Sequence, residues 1–201
     1  MIISERKSPE MKEFRKVMPG NYLGRLFSII DLGTQTTEWQ GQKKQMHKVM
    51  VTFELHGEDS NGPLEIDGKP LVINKRYTLS LGEKATLRAD LEAWRGKALT
   101  DEELKGFDLT KLLGKWVMVN IVHNEYQGKT YPNIAALGQI PSQIKTFPEP
   151  VNENLMFNMS KYPANFDKVW PWAQEIIKKS AEWEHSQGKH VTLEDDKDIP
   201  F

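Results

Sequence analysis

The chain has 201 residues, 38% hydrophobic and 27% charged, with no cysteine and a formal charge of −1. That length can bury a core without metal or disulfide support, and the missing thiols exclude cysteine catalysis, cysteine-ligated zinc and disulfide stapling, which suits a reducing cytoplasm. The charge is uneven: Glu194, Asp195, Asp196 and Asp198 against Lys197 give residues 191–201 a net −3, and taking that from −1 leaves the first 190 residues at +2. A polyanion would therefore need a local basic groove on the body rather than bulk charge.

Residues 1–16 alternate charges, hold no apolar run of signal-peptide length, and are expected to form a flexible or helical leader. No stretch is long and apolar enough to suggest a membrane span. Residues 21–31 (NYLGRLFSIID) are rich in aromatic and branched side chains and predict a first strand. Residues 32–46 are polar, carry Gly33 and Gly41, and predict a long loop or hairpin tip. Residues 48–55 (KVMVTFEL) alternate, with Val49, Val51, Phe53 and Leu55 on one side and Met50, Thr52 and Glu54 on the other, the period of a half-buried second strand. Residues 56–69 are turn-rich, and residues 71–81 (LVINKRYTLSL) form a third strand.

Residues 85–94 switch to helical period, with Leu87, Leu91 and Trp94 on one face. Thr100 followed by Glu103 fits a capping box opening a second short helix. Residues 115–122 (KWVMVNIV) predict a fourth strand, residues 123–129 a connector, and residues 130–137 a return strand in which Pro132 marks an edge or an irregularity. The proline-rich residues 141–150 are expected to leave the sheet. Residues 165–184 contain an amphipathic helix with Val169, Trp170, Ala173, Ile176 and Ile177 apolar and Pro171 in its first turn. From Gly188 onward the chain is polar, then acidic, and is expected to be disordered.

These elements predict a mainly β fold with α+β elements: a five-stranded OB-like barrel with inserted helices, a C-terminal helix and a disordered acidic tail. The expected division is a leader at 1–16, an OB-like domain at 17–148, a helical extension at 149–187 that packs on the body or serves self-association, and a tail at 188–201. Cations interleave with aromatic rings three times: Lys43, Lys44 and Lys48 near Trp39; Lys75 and Arg76 beside Tyr77; and Lys129 with Tyr126 and Tyr131. Single strands need this combination, cations for phosphates and flat rings for bases. Alternation also places Tyr77 with Ile73 and Leu79, a core reading of equal weight, and Trp116 faces either a ligand or a covering helix. Trp94 reads as packing, as do Trp170, Trp172 and Trp183 on the C-terminal helix.

No nucleotide-binding loop or nucleophile motif is present. His47, His56, His123, His185 and His190 are scattered without metal-ligand spacing. His56, Glu58 and Asp59 lie in a turn-rich stretch, and Asp101, Glu102 and Glu103 suit the first turn of a helix. Neither group calls for metal or catalysis, so no enzyme and no cofactor are expected.

The chain ends LEDDKDIPF. This resembles the acidic tip of bacterial single-stranded DNA-binding proteins, although Lys197 interrupts the acids. The resemblance implies that Asp195, Asp196, Asp198, Ile199, Pro200 and Phe201 dock replication, repair and recombination proteins. A ring seated in an apolar pocket and acids facing a basic rim would supply the chemistry. The body, over roughly residues 20–140, resembles phage-encoded OB-fold single-stranded DNA-binding proteins. Residues 112–134 (LLGKWVMVNIVHNEYQGKTYPNI) and 75–81 (KRYTLSL) carry that likeness. It implies sequence-independent binding of single-stranded DNA in a bacterial cytoplasm, with the three clusters lining the groove. The alternative is a protein-binding adaptor whose tail mimics the host protein's tip.

Overall fold

The computed structural model describes residues 15–39 and 41–183. Its framework is an antiparallel hairpin of β1 (Gly20–Trp39) and β2 (Gln42–His56), closed at Gly41, whose φ of +75° favours glycine. The polar residues 32–46, expected as a loop, are instead the outer arms of this hairpin, paired from Thr34 opposite His47 to Trp39 opposite Gln42. Their alternation is invisible in the sequence because most of these residues, Gln42 to Gln45 among them, have no core to face.

β3 (Val72–Thr78) lies on the other side of β2, while β4 (Trp116–Tyr126) pairs with β1 and β5 (Lys129–Gly138) with β4. The hydrogen-bonded order is β3-β2-β1-β4-β5, antiparallel throughout. The expectation of a mainly β fold holds, but the ladder does not close into a barrel. β3 and β5 approach each other at the two ends of the order without pairing. Pro132, which has no N–H to offer a neighbour, sits in the outermost strand β5. Between Glu58 and Pro70, two ladders of two residues per strand replace any longer strand.

α1 (Thr86–Arg95) connects towards β4 and ends at Gly96, which adopts the left-handed conformation. α2 (Asp101–Lys105) opens with the expected capping box: the Thr100 hydroxyl accepts from the Glu103 N–H, and the Glu103 carboxylate accepts from the Thr100 N–H. One core lies between the sheet and α1, built from Phe53, Leu55, Val117 and Val119 against Leu87 and Leu91.

A second core lies on the opposite face of the sheet, and it corrects the half-buried reading of β2. Ile30, Leu32 and Met50 are covered by Phe157, Val169, Ala173 and Ile177. These come from β6 (Leu155–Phe157), which pairs parallel to β1 from Ser28 to Ile30, and from α3 (Pro171–Ile177) with the chain leading into it. β2 is therefore buried on both faces from Val49 to Leu55. The buried Glu54 of its outer face is absorbed by pairing, whereas the buried Thr52 hydroxyl finds no hydrogen-bond partner among the described residues. Arg25 donates to Glu54 at 3.2 Å and to Asn154 at 2.6 Å, and Asn152 gives Glu54 both its N–H and its side-chain amide. The helix expected within 165–184 is shorter than its pattern suggested, a 3-10 turn at Phe166–Lys168 preceding α3. No helix among the described residues is long and apolar enough to cross a membrane.

Candidate nucleic-acid interface

With both faces of β2 covered, the open part of the sheet is the outer row of β3 and the hairpin of β4 and β5. Val72, Asn74 and Arg76 alternate outward on β3 and are exposed. The β4–β5 hairpin turns through Gln127 and Gly128, both at positive φ (50° and 71°), the geometry of a two-residue hairpin turn. Its register sets Val122 opposite Asn133, Asn124 opposite Tyr131 and Tyr126 opposite Lys129. These alternate pairs share one face, so Tyr126, Lys129 and Tyr131 come together as the sequence suggested, with Asn124 and Asn133 beside them.

This hairpin and β3 enclose an open groove of about 700 Å³, lined by Val72 and Asn74 from β3, Asn124 and Tyr126 from β4, and Tyr131 and Asn133 from β5. Tyr126 is 66% exposed and Tyr131 45%, far more than packing rings of a stable sheet show. Amide groups and phenols dominate the lining, and Glu125 is its one acid. The surface suits planar, polar ligands.

The second cluster is split by the strand itself. Successive side chains point to opposite faces, so Lys75, Arg76 and Tyr77 cannot all reach one ligand. Tyr77 turns inward and is 4% exposed, which corrects its reading as a stacking ring. Its hydroxyl donates to Asp90 of α1 at 2.7 Å, and Lys75 reaches the same carboxylate oxygen at 2.6 Å. Burial, and then the Asp90 carboxylate, push the Tyr77 phenol far above its ordinary range. Lys75 is thus committed to a partner inside the fold. Arg76 alone faces outward, its guanidinium 5.3 Å from the ring centre of Trp172 in α3.

The first cluster lies at the other end of β3. Lys48 stands opposite Thr78 and donates to its hydroxyl at 2.7 Å. Lys43 and Lys44 are exposed four and five residues further out along β2, roughly 13–17 Å beyond Lys48 at strand rise. They face Glu38 and Thr37 across the hairpin, near Trp39 at the end of β1. The structure therefore keeps Tyr126, Lys129 and Tyr131 on one hairpin face, sets Arg76 about 13 Å along β3 from the groove-lining Val72, and leaves Lys43, Lys44 and the Trp39 position on the arms of the first hairpin, apart from that groove. Residues Asp195, Asp196, Asp198, Ile199, Pro200 and Phe201 lie outside the described residues. The described chain stops close to the base of the first hairpin, where Glu182 accepts from the Thr34 N–H at 2.7 Å and from its hydroxyl at 2.6 Å.

The two acidic groups have structural duties. Asp59 accepts from Arg15 and from the N–H groups of Met18 and Asn61, and Glu103 pairs with Arg95 besides capping α2. Among side chains not singled out from the sequence, Asn74, Asn124 and Asn133 were within reach of register reasoning. The exposure of Trp172 was not, because a tryptophan on an amphipathic helix signals packing. No protein-family model matches the chain, and no curated protein is significantly similar to it.

Proposed function

We propose that this chain binds single-stranded DNA with little sequence preference and recruits replication and recombination proteins through its acidic tip. The observation that carries the binding half is the pairing of exposed Tyr126 and Tyr131 with Lys129 on one hairpin face, open to the outer row of β3. Rings of this kind accept any base, because every base has a π-face. An antiparallel run of five strands with helices between the third and fourth is consistent with an OB-like reading as well. In that fold the ligand crosses the second and third strands, flanked by the first-to-second and fourth-to-fifth connectors. Here the C-terminal segment covers the outer face of β2, so the path is confined to β3 and the β4–β5 hairpin. The recruiting half rests on Asp195, Asp196, Asp198, Ile199, Pro200 and Phe201 and their likeness to the bacterial tip.

Fluorescence anisotropy with labelled oligo-dT tests the binding half. Tyr126→Ala and Tyr131→Ala are each expected to weaken binding by about 1–3 kcal/mol, the cost of one lost stack. With Lys129 and Arg76 as the cations on this path, log affinity should fall against log salt with a slope of about −1 to −2. Absence of binding at low salt would move the reading to the adaptor, in which the tail carries the function.

A further inference from the structure

We propose that Trp172 is a second base-stacking platform, capped by Arg76 in the free protein, so that the C-terminal segment forms one end of the single-strand path. This rests on the single-strand reading above and extends it to a residue outside the OB-like body.

Five tryptophan side chains are described, and Trp172 alone among them is exposed, at 43%. Its position is fixed. It sits in the first turn of α3 next to Pro171, while Ala173 and Ile177 of the same helix are fully buried against the sheet. One side of the indole stacks on Trp170 at 6.4 Å with planes 18° apart, and Trp170 meets Phe27 of β1 edge-on at 6.3 Å. A tryptophan that served packing alone would turn its surface inward from this anchorage, because exposed indole forfeits the burial that favours it.

The cation above it is equally informative. Arg76 holds its guanidinium 5.3 Å from the Trp172 ring centre and has no carboxylate partner among the described residues. It belongs to the same outward row of β3 as Asn74 and Val72, which line the groove beside Tyr126 and Tyr131. From Val72 to Arg76 is four residues, about 13 Å at strand rise. Rings therefore bracket one exposed row at both ends, with the Arg76 cation at the tryptophan end.

When a strand crosses the row, the Arg76 guanidinium moves to a phosphate and a base takes its place on the indole. An exposed cation–π contact is weaker than a base stack combined with a charge-assisted phosphate hydrogen bond, which drives the exchange. Indole emission then reports the event, because a base stacked on tryptophan quenches it.

The experiment uses the full chain, titrated with oligo-dT and read by both anisotropy and tryptophan emission, for the wild type, Trp172→Ala and Trp172→Phe. Wild type should bind with quenching. Trp172→Ala should bind about fivefold to a hundredfold more weakly, the effect of one lost stack. Trp172→Phe should recover most of that affinity while losing the greater part of the quench, a signature that a packing role would not produce. Unchanged affinity in Trp172→Ala, or an undiminished quench in Trp172→Phe, overturns the proposal and leaves the single-strand reading standing. Should Trp172→Ala fail to fold, the Trp172→Phe quench decides alone. A wild type that does not bind oligo-dT overturns both.

Discussion

Asp90 shows how one carboxylate can change the meaning of a motif. Its Oδ2 receives the Tyr77 hydroxyl and the Lys75 ammonium, so two of three neighbouring residues that look like a nucleic-acid contact belong to the interior. Tyr77→Phe should lower stability by about 1.5–3 kcal/mol, the worth of a hydrogen bond to a charged group, in a urea melt. Its oligo-dT affinity should equal that of wild type, and a loss of affinity would return Tyr77 to the interface. Part of this was legible beforehand, because a strand sends Arg76 one way and its two neighbours the other. Which way each pointed was not, since the choice depends on α1 lying behind β3 and on the C-terminal helix lying in front. By contrast, Tyr126, Lys129 and Tyr131 kept their association because a two-residue turn fixes a hairpin's register within a dozen residues.

Among the elements, local chemistry carried the most information. The capping box of α2 and the proline opening α3 were readable as written, since each needs only neighbours in sequence. The arms of the first hairpin and the second covered face of β2 were not. Polar Thr52 and Glu54 read as solvent-facing, whereas Glu54 is fully buried and answered by Arg25 and by Asn152, the latter 98 residues away. Burial disfavours the ionised Glu54, but hydrogen bonds from Asn152 and Val151, with the His56 ring nitrogen 3.4 Å away, outweigh it and hold the carboxyl below its ordinary range. Glu182 is likewise held low against its burial by the hydroxyl and N–H of Thr34. A carboxylate depressed in the fold stabilises it fully above the unfolded value, and that stabilisation is lost as pH falls through the folded value. Denaturation midpoints should therefore drop as pH falls below the ordinary carboxylate range. Glu54→Gln should flatten that dependence and cost about 3–5 kcal/mol at neutral pH, because Arg25 is left buried without its charge partner. Trp116 emission is a convenient probe, since its ring lies 5.1 Å from His56 and 5.4 Å from Phe147 in the covering segment.

At the scale of the whole molecule, the sequence announced five strands with helices between the third and fourth. It could not announce where the sheet stops or what lies across it. Those features depend on contacts such as Arg25 with Asn154, 129 residues apart, which leave no local pattern. The parallel strand β6 has a consequence of its own. β4 occupies the far edge of β1 only from Gly20 to Arg25, and β6 takes over from Ser28 to Ile30, next to the apolar patch of Ile30, Leu32 and Met50. A chain cut after residue 148 would bare both at once. Unpaired backbone groups beside an oily surface are a template for another copy's strand. Light scattering should find such a shortened chain forming aggregates that the full chain does not form, so the segment that covers the outer face of β2 also keeps the sheet from recruiting its own kind.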